Sequence, residues 1–480
     1  MRIWEERLAQ IVQPKIGSTT FAAFNVNVDA LVHIDSELIE WISAQVDQYE
    51  EPLRDETLPR SVESVAELVA LLHAAMQTGK SHYGFMADDT AAWCRQHLPK
   101  SEFKLGGQAG IIANLMATLG ADSRLYTTLL SKDQAEIIDP AVRVPVVRGE
   151  ELSWEVVQNA ADPNQPTKVN WIFEYPKGMT CRFPQGTITT PRANRVILST
   201  SAPGSFSKFL SPIAERLPEL GASIDVAFMA GYHRGNGDAA GTKAFIAESR
   251  RQLQALKQGN EHLVVHIEYV PAREPENERI IWQGLAGAFD SFGINEHELA
   301  QLLHVFGEEA AAQAIRENEN AYTVWQGARV LQKILAVPRI HVHNLGYYVL
   351  LLDRDYASSP EIVRDSCILA STANAAKAIH GDITSVDQVV EAAKIPFSEI
   401  GAAQMRLFAE GLQKAGYAVP DDFMDNGIVP LDGHTTLVLP AHVVPNPVST
   451  VGMGDTISSI ALASEVAARR GEAVPGFSRV

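Results

Sequence analysis

Apolar positions along this chain follow two rhythms. In "SVAELVALLHAAMQTGK" (64–80) they recur at three- and four-residue steps and a glycine closes the run, which predicts an amphipathic helix. In "TTFAAFNVNVDALVHI" (19–34) polar residues alternate with valines, which predicts a strand carrying Asn25, Asn27 and Asp29 on one face. A short amphipathic helix is expected to open the chain, and residues 36–80 to be mainly helical. "GGQAGIIANLMATLGA" (106–121) predicts a glycine turn running into a helix, and "SRLYTTLL" (123–130) a buried strand. From about residue 224 the rhythms alternate. "IDVAFMAGY", "HLVVHIEYV", "FDSFGIN", "PRIHVHNLGYYVLLL" and "LVLPAHVV" are strand-like and mostly trailed by helical sequence. That alternation predicts an α/β fold, a doubly wound, mainly parallel sheet with helices on both faces and its ligand site at the carboxyl ends of the strands.

Residues 141–200 differ. "RVPVVRG", "LSWEVVQN", "KVNWIFEYP" and "RANRVILST" are short β-rich runs between Pro, Gly and Asn turns, the texture of a smaller β-rich lid inserted into the main fold. The expected partition is a large α/β domain over about 1–24, 85–140 and 200–480, with the lid in part of 25–84 and in 141–199.

Composition narrows the function. A formal charge of −18 excludes general affinity for nucleic acid, which needs a Lys/Arg surface, but leaves room for small phosphorylated ligands. Three widely spaced cysteines (Cys94, Cys181, Cys367) give neither zinc spacing nor a disulfide framework, so a reducing cytoplasm is expected. With no signal-like start and no apolar run of about 18 residues, neither secretion nor a membrane is expected.

The chemistry centres on "VGMGD" (451–455), directly before a helix-like run. Gly452 and Gly454 let the backbone curl tightly, and the N–H groups of Met453, Gly454 and Asp455 would point at a bound anion. Asp455 would then stand where a carboxylate can take a proton from an attacking hydroxyl. The alternative is a plain helix cap. Asn27 and Asp29 are candidates for sugar hydroxyls, while in "GGQ" Gly106 and Gly107 would let a flat ligand touch the backbone and Gln108 could supply both a donor and an acceptor. Glu268 in "HIE" and Glu298 in "NEHE" suit a magnesium ion that keeps most of its waters, while Glu298 alone could complete a helix cap. In "HVHNLGYYV" the paired His341 and His343 read as core or edge residues, while with Tyr347 or Tyr348 beside them an adenine-stacking surface is open. Lys177, Arg182 and Arg195 are basic residues within the β-rich region.

Taken together, "NVNVDA", "GGQAGIIANL", "FEYPKG", "PRANR", "HIE", "NEHEL", "HVHNLGYYV" and "STVGMGDTISS" stand in the order seen in the ADP-dependent glucokinase and phosphofructokinase family, a ribokinase-superfamily branch that this chain resembles. The resemblance implies a ribokinase-like domain with a β-rich lid, and sugar and nucleotide between them. It implies Asp455 as general base, with Gly452, Met453 and Gly454 as the anion hole. Asn27, Asp29, Gly107 and Gln108 would hold the sugar. Glu268 and Glu298 would organise Mg2+, and Arg195 would contact a phosphate of ADP, the phosphoryl donor. His343, Tyr347 and Val444 would line the nucleotide. Two segments depart from the pattern: "HNLGYY" stands where the family often has "HTYGYY", and "GKSHYGF" places Tyr83 where glucokinases of the family carry a glutamate. The acceptor therefore stays open between glucose and a phosphorylated sugar such as fructose 6-phosphate, with Lys177 or Arg182 as phosphate clamps. An ATP-dependent kinase of the superfamily and a non-catalytic sugar- or nucleotide-binding protein are the rival readings, and the oligomeric state is open.

Overall fold

The structure, a computed structural model, describes residues 2–9, 15–46, 58–98, 101–200, 206–235, 237–272, 274–448 and 451–471. The helix expected through 47–57, and Ser449 and Thr450 before the glycine turn, lie outside the described residues.

Eleven strands form the large sheet, in the order Ile428–Leu431, His434–Pro440, Tyr347–Asp353, Arg339–Asn344, Ser291–Ile294, Val264–Glu268, Val226–Met229, Thr19–Ala23, Asp122–Tyr126, Arg143–Arg148, Glu151–Val156. The run from Arg339–Asn344 to Arg143–Arg148 is parallel throughout, and antiparallel strands close both edges. Val226–Met229 and Ser291–Ile294 are buried at every position, as a sheet covered on both faces requires. This is the expected α/β architecture.

The small sheet has six strands, in the order Ser61–Val62, His82–Met86, Asn194–Thr200, Val169–Tyr175, Asn27–His33, Glu102–Gly106. Alternation along its strands sorts the two faces. Val28, Ala30 and Val32 join Trp171, Phe173, Val196 and Leu198 in a core separate from that of the large sheet. The helices Ser36–Ser43 and Val65–Thr78 and the hairpin Thr180–Phe183/Gly186–Thr189 bury their apolar side chains in that core. The opposite face carries Asp29, Asn170, Ser199 and Tyr83.

Sheet membership differs from the expected partition in two places. Arg143–Arg148 and Glu151–Val156, expected in the lid, pair at the edge of the large sheet, where Arg143 is opposite Arg124. His82–Met86 straddles the expected boundary, and Glu102–Gly106, expected in the large domain, belongs with it to the small sheet. Alternation fixes which side chains share a face, not which strand pairs with which. The strand-like stretch 19–34 makes the same point. It forms two strands, Thr19–Ala23 in the large sheet and Asn27–His33 in the small one.

The sheets meet at Gly106–Gly107–Gln108. Gly107 takes φ +82° there, and a side chain on it would strike the Asn25 carbonyl at 2.4 Å. Only glycine fits this joint.

Candidate active site

The last strands of the large sheet lead to the turn before the helix Met453–Arg469. Gly452 caps that helix at φ +66°, a conformation that favours glycine, and no side chain caps the end. Among the described residues no acceptor meets the N–H groups of Met453, Gly454 and Asp455, so three donors and the positive end of the helix dipole face the site. Asp455, buried, accepts a hydrogen bond from Gln108 Nε2 at 2.9 Å. Burial and the nearby Glu268 push its carboxyl up to about 6, against the pull of Gln108, Lys377 and His343. At neutral pH it is still a carboxylate, and one basic enough to accept a proton.

Glu268 stands at the end of the strand Val264–Glu268, squeezed between two glycines. A methyl on Gly293 would lie 1.8 Å from its Oε2, and one on Gly454 2.9 Å from its Oε1. His343 Nε2 meets Oε1 at 2.6 Å and His266 Nε2 lies 3.3 Å from Oε2. Burial alone would raise this carboxyl, but His343 and His266 hold it below the usual carboxylate range. The same contact reverses the effect of burial on His343 and pushes it up to about 9. The two form a buried ion pair.

Glu298 forms a capping box with Asn295. The Asn295 N–H donates to Glu298 Oε2 at 3.0 Å, and the Glu298 N–H to Asn295 Oδ1 at 2.9 Å. Burial, then Glu268 and Glu296, push its carboxyl up to about 7 against the Asn295 N–H and His343.

Across the joint, the polar face of the small sheet carries a connected row. Asn170 Nδ2 donates to Asp29 Oδ1 at 2.8 Å, Ser199 Oγ to Asn170 Oδ1 at 2.5 Å, and the Tyr83 hydroxyl lies 3.1 Å from Ser199 Oγ. Burial raises the Asp29 carboxyl, opposed by Asn170, Lys168 and Arg195. Asn27 is buried next to Gly107, and its Oδ1 has no partner among the described residues. Arg234 Nη2 donates to Asn25 Oδ1 at 2.7 Å, and Arg234 and Lys168 both depress His233, after burial the main causes of its low value. Lys168 and Arg195 thus act on the Asp29 end of a row of neutral and acidic hydrogen-bonding groups, and Arg234 holds the neighbouring Asn25.

Residues 18–464 match the conserved region of ADP-specific phosphofructokinase/glucokinase. The chain belongs to this family. An ADP-specific phosphofructokinase of Methanosarcina acetivorans is 30% identical over 93% of each chain. Among solved structures, the last common ancestor of ADP-dependent phosphofructokinases from Methanosarcinales is 32% identical with a TM-score of 0.84, covering 97% of each chain. An ADP-dependent kinase complex with fructose-6-phosphate and ADPβS is 31% identical with a TM-score of 0.79, covering 97% of this chain and 98% of the other.

Within the ADP-specific phosphofructokinase/glucokinase fold, most of the residues expected from sequence come together. Asp455, Gly452, Met453, Gly454 and Gln108 form one turn-and-carboxylate unit; Glu268, Glu298 and His343 form an adjacent acidic one; Asn27, Asp29 and Gly107 line the joint, while Arg195, opposite Glu174, lies farther along the polar face, four strand residues beyond the level of Asn170. His343 is held by Glu268 rather than presented to a ring. Tyr347 is buried and donates to Glu319 Oε1 at 2.6 Å, so its ring is no exposed stacking surface. Val444 is half-buried; Ile400, exposed, lies with Val443 against Gly346, next to the exposed Leu345, and the exposed Val448 lies against Gly381. Lys177 and Arg182 are not brought to the site. Cys181 and Phe183 point into the small core, so Arg182 between them faces solvent, and Lys177 is exposed in the turn leading to that hairpin. That turn follows Tyr175, five strand residues or roughly 17 Å beyond Asn170. Sequence reasoning missed Lys168, Asn170, Ser199, Arg234 and Lys377. Asn170 and Ser199 were within reach, because they alternate with the apolar residues of "VNWIFEY" and "NRVILST".

Proposed function

We propose that the chain phosphorylates fructose 6-phosphate with Mg·ADP as donor, releasing AMP. Its family makes it an ADP-dependent kinase of a sugar hydroxyl. The observation that carries the choice of acceptor is the positive charge around Asp29. Lys168 is only 9% exposed, Arg195 acts on the same carboxylate, and Arg234 holds Asn25. Positive charge near the polar row suits a sugar that carries a phosphate better than uncharged glucose. Tyr83, held by Ser199, adds a neutral hydroxyl where a carboxylate would repel that phosphate.

In this reading Asn27 and Asp29 orient the sugar, and Asp455 takes the proton of the attacking hydroxyl. The turn N–H groups of 453–455 hold the transferring phosphoryl group, and the small sheet closes as a lid that excludes water. The adenine lies among Leu345, Ile400, Val444 and Val448. Magnesium, when bound, supplies charge neutralisation at the phosphates. Both oxygens of Glu268 face histidines and one of Glu298 is in a cap, so these residues fit an ion held largely through its own waters. Beyond burial, Glu268 raises both Asp455 and Glu298, and such a cation would relieve that negative charge. The three cysteines are buried and free, which suits the reducing cytoplasm. No helix of the described residues is long and apolar enough to cross a membrane.

The test is AMP release from a panel of sugars and sugar phosphates with Mg·ADP or Mg·ATP. We expect kcat/KM for fructose 6-phosphate to exceed that for glucose by about 100-fold or more, and Lys168→Met to raise KM for the sugar phosphate. Preference for glucose would sink the acceptor assignment, and preference for ATP the donor.

A further inference from the structure

Lys377 lies in the last turn of the helix Pro360–His380, where its sequence "STANAAKAIHG" suggests only a cation at the negative end of the helix dipole. That helix packs along Met453–Arg469 and carries the lysine to the glycine turn, where it is only 5% exposed. Its Nζ lies 3.6 Å from the point where a side chain on Gly452 would begin, and Asp455 Oδ2 lies 3.6 Å from that same point. The ammonium and the carboxylate therefore flank one spot over the turn without forming an ion pair. Among the described residues the only ion-pair partner of Lys377 is Asp382 at 3.9 Å, and the Asp382 side chain is 76% exposed. So loose and wet a pair does not offset the burial of an ammonium group. Burial lowers the lysine's proton affinity while Asp382 and Asp455 raise it.

We propose that Lys377 is a catalytic residue whose ammonium holds a non-bridging oxygen of the transferring phosphoryl group against the Gly452–Asp455 turn. As the acceptor oxygen bonds to phosphorus, the bond from phosphorus to the bridging oxygen breaks. Its electron pair leaves with AMP, and the hydroxyl proton passes to Asp455. Lys377 exchanges no proton. It offsets the charge that three neutral N–H groups share only partly, and it separates the phosphoryl oxygens from the carboxylate of the base. This role rests on reading the 452–455 turn as the phosphoryl site.

Lys377→Met and Lys377→Arg test it. We expect Lys377→Met to lower kcat about 100-fold with KM for the sugar within about threefold, and Lys377→Arg to restore part of the rate. Removing a buried cation should leave the melting temperature equal or higher. A second readout needs no acceptor. Calorimetry with ADP and with AMP should show the ADP-over-AMP affinity ratio falling about tenfold in Lys377→Met, because only ADP places a phosphate at the turn. That ratio decides the role of Lys377 even if the wild type turns over none of the sugars. An unchanged ratio would overturn the proposal. So would a wild-type kcat, or an equal loss in both variants accompanied by a lower melting temperature.

Discussion

Two helices of this protein begin alike and do opposite things. Asn295 and Gly452 are their N-caps, and each helix carries a carboxylate at its third position, Glu298 in one and Asp455 in the other. Glu298 folds back onto its own cap and closes the box, so the helix end satisfies itself. Asp455 turns away to Gln108, on a segment 347 residues distant in sequence, and leaves three N–H groups open. The difference lies in the cap residue. Asparagine brings an oxygen to fill the N–H groups, whereas glycine at φ +66° brings none. An unfilled helix end beside a carboxylate is a site; a filled one is structure.

The comparison breaks most severely at Asp455. Asp455→Asn should cut kcat by about 10³-fold while ADP still binds, seen by assay and calorimetry together. Because the folded state raises this carboxyl from its ordinary 3.8 to about 6, the charged form destabilises the fold at neutral pH. The same variant should therefore gain on the order of 2 kcal/mol in denaturant unfolding at neutral pH. Retained turnover would remove Asp455 from its role. Next comes Gly454→Ala. Its methyl would stand 2.9 Å from Glu268 Oε1 and 3.0 Å from His343 Cε1, displacing that pair and costing about 10²-fold in kcat without unfolding the chain. A rate within a few fold of wild type would show that Glu268 tolerates the shift.

A smaller effect is the acid limb of the pH profile. As pH falls through about 6, Asp455 takes a proton and kcat/KM should drop, reaching about tenfold by pH 5. Over that range its contribution to stability moves the other way, because the folded state binds the proton more tightly than the unfolded one. A limb that persisted in Asp455→Asn would belong to another group. The smallest effect is at the closed cap: Asn295→Ala should lose about 1 kcal/mol of stability and leave the rate within a few fold. A rate loss approaching that of Gly454→Ala would make the two helix ends alike after all.

Features written within a few residues were legible in the sequence. The glycine turn with Asp455, the Gln108 joint and the Asn27/Asp29 strand stand where their local patterns put them. Features that depend on packing between distant elements were not. Lys377 reads as an ordinary helix charge until a second helix covers it, and Lys168 as a residue in a polar turn until the small sheet brings it near Asp29. The reverse error came from prominence. Lys177 and Arg182 stand out beside Pro176 and Gly178, yet Cys181 and Phe183 determine which way the hairpin faces. The strands 143–156 were misplaced for a related reason, since a β-rich texture does not name the sheet it joins.

The bond between Gln108 and Asp455 has a consequence for synthesis. The nascent chain can assemble the polar row of the small sheet once about two-fifths of it has been made, because that row needs nothing beyond Thr200. Asp455 arrives only with the final helix, which docks by Ser18 Oγ donating to the Ala463 carbonyl and by packing along Pro360–His380. Until then a ribosome-bound chain holds the polar row but neither Asp455 nor the glycine turn, so on the reading proposed above a partly made copy would not consume ADP.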